Sequence, residues 1–371
     1  MRSILLCLLL FVSLDASCQK YFLFIGTYTG SGSKGIYVYT FDAATGKAQW
    51  LSNTEGVINP SYLAIAPRGS LLYACTETRT ADAGGISAFR FDHKKGKLTF
   101  INKQSSGGDN PAYVSVNNTG KWVIAGNYSG GSLSAFPVNG DGSLQPFAQL
   151  IEHSGKSVNK ERQEKPHVHA TVFSPEGDQL FVPDLGVDKV MIYKFNATAQ
   201  KPLVPASPAF VSTNPGSGPR HFIFHPNKKW AYLIEEMAGS VAAYSYIKGK
   251  LNVVQQIAIH PDTVKENFGS ADIHISPDGR FLYASNRGSE NNLAIFSINR
   301  ITGKLLLAGY QSTMGTTPRN FTIDPSGNYL LVANQKTGNI VIFKRDIKTG
   351  LLTYTGDQIN IPEPVCLKMI K

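Results

Sequence analysis

Cysteine is scarce in this chain of 371 residues: there are four, and only Cys75 and Cys366 lie beyond residue 18. Two cysteines cannot supply the disulfide framework that stabilises many secreted domains, so the fold must depend on hydrophobic packing. Hydrophobic residues make up 42% of the sequence and aromatic residues 11%. This composition is sufficient for a substantial apolar core.

The sequence also lacks an apolar run long enough to cross a membrane as a helix. The run "ILLCLLLFV" at residues 4–12 is too short for a span. It follows Arg2 and precedes small residues, which is the layout of an export signal. We expect residues 1–18 to be a signal peptide, cleaved after Ala16 or Cys18, with Cys18 as an alternative site of lipid attachment. Residues 19–371 should then form one domain, periplasmic or lipid-anchored to the cell envelope.

Acidic residues are fewer than basic ones, 26 against 36, which gives a net charge of +10. The basic residues are spread through turns such as "DHKKGKL" and "NRITGKL" instead of being gathered in one segment. This distribution is typical of a solvated surface, and we expect no nucleic-acid partner. A mild attraction for anionic small substrates is consistent with it. The charge pattern gives no indication of oligomeric state.

Compact metal-binding motifs are missing as well. The sequence has no calcium loop, and no HExxH motif or cysteine cluster accompanies His167 and His169. We therefore expect no obligatory cofactor and no metal site. The alternative is a divalent cation held by oxygen ligands at strand ends; these are Asn127, Asp184, Glu235 and Asn286.

Two interleaved repeats dominate the remaining sequence. The first occurs six times, in the form "PHVHATVFSPEGDQLFVPDL" or "SADIHISPDGRFLYASNR", and its turn prolines Pro175, Pro226 and Pro277 are spaced by 51 residues. Each copy has two runs rich in Val, Ile, Tyr and Phe around a Pro, Asp or Gly turn, which indicates a β-hairpin. The second repeat, for example "NLAIFSINRITGKLLLA", occurs seven times.

The missing seventh hairpin is supplied by the two ends of the chain. "EPVCLKMIK" near the C-terminus matches a first strand, and "YFLFIGTYT" near the N-terminus matches the strand after it. The sequence therefore predicts an all-β fold, a seven-bladed β-propeller with four antiparallel strands per blade. Pairing of the terminal strands in one blade would close the ring and remove exposed sheet edges.

Polar residues recur at the strand ends that meet at one rim of the predicted channel. They lie six and five residues before the turn proline, where the first strand begins, and nine and ten after it, where the second strand ends. We expect them, with the long connections "HSGKSVNKERQEK", "STNPGSG" and "HPDTVKENFGS", to form one pocket. The candidate binding residues are His167, His169, Asp184, Arg220, His221, Glu235, Glu236, Asn286, Arg287, Arg319, Asn334 and Gln335.

Several of these segments resemble one known family. "ERQEKPHVHATVFSPEGDQLFVPDLGVDKV", "GSGPRHFIFHPNKKWAYLIEE" and "SADIHISPDGRFLYASNRG" are similar to the β-propeller lactonases, which include the propeller type of 6-phosphogluconolactonase and the fungal carboxymuconate cyclase. The resemblance implies a site at the channel mouth. It implies as catalytic residues a histidine of "PHVH" (His167 or His169), Arg220, a glutamate of "LIEE" (Glu236, with Glu235 as the alternative) and Arg287.

These residue types suit the opening of a lactone. A glutamate or histidine, Glu236, His169 or His221, would activate water, and Arg220 and Arg287 would bind an anionic group or the oxyanion. The predicted substrate is a sugar lactone, resembling 6-phosphogluconolactone or an unphosphorylated aldonolactone. The same groups could close a lactone onto a muconate, as a cycloisomerase does. A noncatalytic propeller that binds a carbohydrate or a protein partner is the alternative from another class.

Overall fold

The computed structural model of the protein describes residues 19–78 and 84–371. These residues form 28 β-strands in seven four-stranded antiparallel sheets, so the predicted seven-bladed propeller is confirmed. The segment predicted as a signal peptide, including Cys18, lies outside the described residues. Within the described ranges, there is no helix of the length and apolarity needed to cross a bilayer.

The strands follow one another through the blades in chain order, with the last strand of the chain starting the blade that the first three complete. Blade 1 consists of β4 (Leu63–Ile65), β5 (Leu71–Thr76), β6 (Gly85–Asp92) and β7 (Lys97–Ser105). Blade 2 consists of β8 (Pro111–Val116), β9 (Trp122–Asn127), β10 (Ser132–Pro137) and β11 (Gln149–Glu152). Blade 3 consists of β12 (Val172–Phe173), β13 (Gln179–Asp184), β14 (Lys189–Phe195) and β15 (Leu203–Ser212). Blade 4 consists of β16 (Pro219–Phe224), β17 (Trp230–Glu235), β18 (Ser240–Ile247) and β19 (Lys250–Ala258). Blade 5 consists of β20 (Ser270–Ile275), β21 (Phe281–Asn286), β22 (Asn292–Ile298) and β23 (Leu305–Ser312). Blade 6 consists of β24 (Pro318–Ile323), β25 (Tyr329–Asn334), β26 (Asn339–Arg345) and β27 (Leu352–Asn360). Blade 7 consists of β28 (Pro364–Ile370), β1 (Lys20–Thr27), β2 (Ile36–Asp42) and β3 (Lys47–Thr54).

The hydrophobic core lies between adjacent blades. The second and third strands of most blades are buried along nearly their whole length, as in β9, β21 and β25. Such strands have a neighbouring sheet on both faces, which explains their continuous runs of Val, Ile, Leu and aromatic residues. The fourth strands are mostly exposed or half-buried because they form the outer edge of each blade.

The ring closes in blade 7, where β1 pairs antiparallel with β28. The register runs from Phe22 opposite Ile370 to Gly26 opposite Cys366. This pairing gives β1 a hydrogen-bonded neighbour on both sides, β28 and β2.

A bulge near the start of the first strand recurs in several blades and directs side chains into the channel. The register shifts between Pro219 and His221 in blade 4, and between Pro318 and Asn320 in blade 6. The extra residues are Arg220 and Arg319. A bulge commonly re-aims a side chain next to a functional site, and here it brings two arginines to the channel axis.

Candidate active site

The mouth of the channel at which the first strands begin contains a cavity of about 890 Å³, which we call the upper cavity. Its wall includes the residue that directly follows the second strand in six of the seven blades. These residues are Tyr28, Glu77, Tyr128, Glu236, Arg287 and Gln335. The segment before β12 adds His169, and β24 adds Arg319. Two of the long connections predicted to wall a pocket add Arg162 and Phe268.

Three arginine side chains surround the carboxylate of Glu236, which is itself buried. Arg220 donates from Nε to Oε2 at 2.9 Å, and Arg162 donates from Nη2 to Oε1 at 2.7 Å. The Nη2 of Arg287 lies 3.1 Å from Oε2. Both carboxylate oxygens therefore accept charge-assisted hydrogen bonds, which fixes their direction in the cavity.

This arrangement keeps the carboxylate ionised. Burial alone would raise the pKa of Glu236, but the positive charges of Arg287 and Arg220 outweigh burial and hold the pKa well below its usual 4.5. Burial, followed by repulsion from Arg287, lowers the pKa of Arg220 to about 10. Both groups are therefore charged at neutral pH, and Glu236 is a weak base.

His169 lies next to Glu236 and its arginines, and it is a neutral titratable group. Its Nε2 lies 3.9 Å from Oε2 of Glu236, and its side chain is buried. Burial, reinforced by the nearby Arg220 and His221, lowers the pKa of the imidazole well below 6.5. At neutral pH the ring is uncharged, so one of its nitrogens can accept a proton.

A second charged group lies on the opposite side of the upper cavity. The Nη2 of Arg319 is 3.7 Å from Oε1 of Glu77, and its guanidinium carbon is 5.5 Å from the ring centroid of Tyr28. The hydroxyl of Tyr28 donates to the same Glu77 oxygen at 2.8 Å. Lys336 and Gln335 line the cavity next to this group. The upper cavity thus presents positive and hydrogen-bonding groups on two sides.

The structure brings only some of the predicted binding residues to the upper cavity. Those that line it are His169, Glu236, Arg287, Arg319 and Gln335. Arg220 does not line the cavity but donates a hydrogen bond to Glu236, which does. His167 does not line it: the ring stacks on Tyr128 at 4.7 Å and bonds Glu164 at 3.1 Å. His221 follows Arg220 in β16, and its side chain lines a different cavity, at the opposite mouth of the channel.

Four other predicted binding residues are the last residues of second strands, and their side chains are bound inside the blades. Asp184 accepts from the backbone N–H of His167 at 2.7 Å and contacts His153 at 2.6 Å. Glu235 accepts hydrogen bonds from Ser240 and Gln256. None of the four lines the upper cavity; Asp184, Glu235, Asn286 and Asn334 are all buried.

Asn286 and Asn334 have the same structural role in their own blades. The amide of Asn286 donates to the carbonyl of Ile259 at 2.7 Å, and that of Asn334 donates to the carbonyl of Thr313 at 2.9 Å. Both carbonyls belong to the connection that leaves the outer strand. Because the asparagine satisfies a backbone acceptor there, it anchors the connection to the inner part of the blade.

Arg162 was not among the residues predicted from the sequence, although its connection was expected to wall the pocket. Besides Glu236, it contacts the hydroxyl of Tyr128 at 3.2 Å, and 45% of its side chain is exposed. Gln163 of the same connection donates to the carbonyl of Leu185 at 2.8 Å, which secures the segment to blade 3. The connection has several charged residues, and sequence alone does not tell which of them points inward.

Because Arg162 is exposed and Glu236 retains two other arginines, we expect Arg162→Ala to raise KM for an anionic lactone by about tenfold or less, with a smaller change in kcat. Steady-state kinetics at low and high salt would measure this, and the effect should diminish at high salt. Arg300→Ala, in an exposed turn far along the chain, is the matched control. A loss of kcat with KM unchanged would contradict a substrate-binding role.

The described residues offer no arrangement of three or more His, Cys, Asp or Glu side chains able to hold a metal ion. Asn127, Asp184, Glu235 and Asn286, the oxygen ligands considered above, lie in four different blades. The side chains of all four are engaged in hydrogen bonds within the blades or to the connections that enter them.

Comparison with known proteins identifies the class. The family described as "Lactonase, 7-bladed beta-propeller" matches residues 22–369, so the chain belongs to this family of lactone-hydrolysing enzymes. The predicted family and enzyme class are therefore confirmed, and the noncatalytic alternative is set aside.

Individual relatives cover nearly the whole chain. A 6-phosphogluconolactonase of Formosa agariphila is 42% identical over 349 residues, 94% of this chain and 99% of that protein. A 6-phosphogluconolactonase of Bacillus subtilis is 38% identical over 95% of this chain and 99% of its own. The structure of a periplasmic gluconolactonase of Pseudomonas aeruginosa superposes with a TM-score of 0.90 at 37% identity, covering 95% of this chain and 99% of the other.

Proposed function

We propose that this protein hydrolyses a sugar lactone in the upper cavity, by attack of water on the lactone carbonyl. The observation that carries the proposal is the pairing of a neutral buried imidazole, His169, with an ionised carboxylate, Glu236, next to arginines in a cavity of about 890 Å³. The relatives named as 6-phosphogluconolactonases and as a gluconolactonase indicate the substrate class.

His169 is the proposed general base. The attacking water loses one proton to Nε2 as its oxygen bonds to the carbonyl carbon, and the carbonyl electrons move to the oxygen. The imidazolium formed would lie 3.9 Å from the carboxylate of Glu236, which stabilises its positive charge. Glu236 is assigned the counter-charge, since its pKa is held well below 4.5 and both of its oxygens contact arginines.

Arginines are proposed to stabilise the negative charge that develops. Arg287 lines the upper cavity and can donate to the oxyanion while it remains near Glu236. Arg319, Lys336 and Gln335 lie on another wall and would bind the hydroxyl groups or an anionic group of the sugar. Collapse of the intermediate breaks the ring C–O bond, and the leaving alkoxide takes the Nε2 proton of the His169 imidazolium, which gives the open-chain acid and returns the imidazole to its neutral form.

The proposal is tested by measuring hydrolysis of gluconolactone and 6-phosphogluconolactone, with the spontaneous rate subtracted at each pH. We expect acceleration of at least one lactone. The ratio of kcat/KM values for the two substrates, repeated with Lys336→Ala, reports whether that wall binds a phosphate. Folded protein that accelerates neither lactone, nor lactone formation from a muconate, would contradict the proposal.

We also propose that the protein is exported. The apolar run at residues 4–12 supports this, as does the relative described as periplasmic. An exported enzyme would meet unphosphorylated lactones more readily than metabolites confined to the cytosol. Fractionation of cells, with mass spectrometry of the mature N-terminus, should find the protein in the envelope or periplasm, either cleaved after Ala16 or Cys18 or beginning with a lipid-bearing Cys18. Recovery of the full chain in the cytosol would contradict export.

A further inference from the structure

An ion pair with a gap between its members lies across the upper cavity from Glu236. The Nη2 of Arg319 and the Oε1 of Glu77 are 3.7 Å apart, which is too far for a direct hydrogen bond. Both side chains line the cavity, and 19% of the Arg319 side chain and 12% of the Glu77 side chain are exposed. The cavity therefore reaches a donor and an acceptor that do not satisfy each other.

The carboxylate of Glu77 has accepting capacity that the protein does not use. A carboxylate can accept about four hydrogen bonds. Among the described side chains, only the hydroxyl of Tyr28 donates to Glu77, to Oε1 at 2.8 Å. The other oxygen, Oε2, is buried and has no hydrogen-bond partner within residues 19–78 and 84–371. Such an under-bonded carboxylate is stabilised when a donor enters the cavity beside it.

Tyr28 holds both members of the pair in place. Burial raises the pKa of its hydroxyl, so the hydroxyl keeps its proton at neutral pH and donates it to Glu77. The guanidinium carbon of Arg319 lies over the tyrosine ring, 5.5 Å from its centroid, a favourable cation–π distance. Tyr28 is therefore a positioning residue for the spacing of the pair.

The balance of charge differs between the two sides of the upper cavity. Three arginines contact Glu236, so that side has an excess of positive charge. On the other side, the cavity is lined by two cations, Arg319 and Lys336, and by two carboxylates, Glu77 and Glu363. A side with equal numbers of both signs does not favour an anionic group. It suits a neutral group that both donates and accepts hydrogen bonds.

We propose that Glu77 and Arg319 bind one hydroxyl group of a sugar lactone between them, and that Glu77 thereby selects lactones with a free hydroxyl at this point. A hydroxyl oxygen about 2.8 Å from both atoms would accept from Nη2 of Arg319 and donate to Oε1 of Glu77. A phosphate there could accept from Arg319, but its negative charge would lie against Glu77. This inference rests on the proposed function, because it names the substrate group that the same site recognises.

The wild-type enzyme should therefore distinguish lactones by their substituents. A site built to bond a hydroxyl rejects analogues that lack it, since its polar groups are then left without partners. We expect kcat/KM for gluconolactone to exceed that for δ-valerolactone, which has the ester but no hydroxyl, by at least about tenfold. We also expect it to exceed kcat/KM for 6-phosphogluconolactone.

The central test is Glu77→Gln, measured with gluconolactone and δ-valerolactone. Glutamine has the same length and can still accept from Tyr28, but it lacks the charge that strengthens a bond from the sugar hydroxyl. We expect kcat/KM for gluconolactone to fall by about tenfold, the difference between a charged and a neutral acceptor. The value for δ-valerolactone should be nearly the same in variant and wild type. A purely structural role would lower both values together.

Glu363→Gln is the matched control for charge. The backbone carbonyl of Glu363 accepts from the N–H of Tyr28 at 3.1 Å, so this variant removes a negative charge from the same side of the cavity. We expect kcat/KM for gluconolactone to change by less than about threefold. Equal losses in Glu363→Gln and Glu77→Gln would indicate an effect of net charge and would overturn the hydroxyl contact.

A second measurement locates the hydroxyl directly. Gluconolactam has the hydroxyl groups of gluconolactone, but its amide resists hydrolysis, so it can be held in crystals of the wild type. A sugar hydroxyl should lie within hydrogen-bond distance of both Glu77 Oε1 and Arg319 Nη2. Lactam bound in the upper cavity with no hydroxyl at this point would overturn the inference. So would inorganic phosphate bound between the two residues in crystals soaked without a sugar.

The outcomes separate this inference from the proposed function. If the wild type hydrolyses gluconolactone and His169→Gln does not, but Glu77→Gln keeps the wild-type ratio of gluconolactone to δ-valerolactone, the hydroxyl contact is wrong and the proposed function stands. A wild type that prefers 6-phosphogluconolactone to gluconolactone also overturns the selection by Glu77 alone. Folded wild type that accelerates no lactone overturns both.

Discussion

His169→Gln should lower kcat/KM for lactone hydrolysis by about 10²–10⁴-fold, the usual contribution of a positioned general base. Glutamine is similar in length and polar, so the cavity should be preserved while the proton acceptor is lost. Steady-state kinetics, with the spontaneous rate subtracted, measure the effect. The wild-type activity should persist below pH 6.5 and fall only at more acid pH, because the pKa of His169 is lowered by burial.

His167→Gln is the matched comparison, since the two histidines are two residues apart and the sequence leaves their roles open. His167 stacks on Tyr128 and does not line the upper cavity, so we expect a loss of less than about tenfold. Glu236→Gln should lower kcat more than it raises KM, because the imidazolium loses its counter-charge. A larger loss in His167→Gln than in His169→Gln would reverse the assignment.

Arg220→Met should destabilise the protein strongly. The guanidinium is fully buried and bonds both Glu236 and the carbonyl of Ala271. Removing one partner from a buried ion pair costs about 3–5 kcal/mol, and the remaining contacts of Glu236 with Arg162 and Arg287 should keep the loss near the lower end of this range. Denaturant unfolding at neutral pH would measure the loss, and Arg220→Met/Glu236→Gln should recover part of it.

The loss should also depend on pH. The pKa of Glu236 is depressed in the folded protein, so its stabilising effect is present above the unfolded value of 4.5 and is lost as pH falls through the folded pKa. The difference between wild type and Arg220→Met should therefore shrink as pH falls below 4.5. Equal destabilisation at all pH values would indicate that Arg220 acts by packing alone.

The repeats made the fold predictable, because each hairpin is specified locally. The turn before Phe281, for example, places Gly279 at a φ of 68°, a conformation that glycine adopts readily. The terminal segments could be paired because each completes half of a repeat. The seven copies therefore predict the order of the strands, the number of blades and the closure of the ring by the two chain ends.

The site could be predicted only to within neighbouring residues. At the end of a second strand, successive side chains face opposite ways, so Glu236 reaches the cavity while Glu235 is bound within its blade. Counting from the turn locates both positions but does not tell which one faces the cavity, and on the first strand a bulge such as the one at Arg220 also shifts the register. Arg162 lay beyond prediction since no repeat constrains its connection.

The residue that directly follows the second strand of a blade determines how the substrate preference of such an enzyme can change. Tyr28, Glu77, Tyr128, Glu236 and Arg287 each occupy that position in a different blade, and each projects from a backbone secured by its own sheet. A substitution at one of them alters the chemistry of the cavity while the sheets hold the backbones of the others in place. Side chains that contact each other, such as Tyr28 with Glu77 and Glu236 with Arg287, should therefore change in pairs, and the scaffold stays fixed while substrate preference changes.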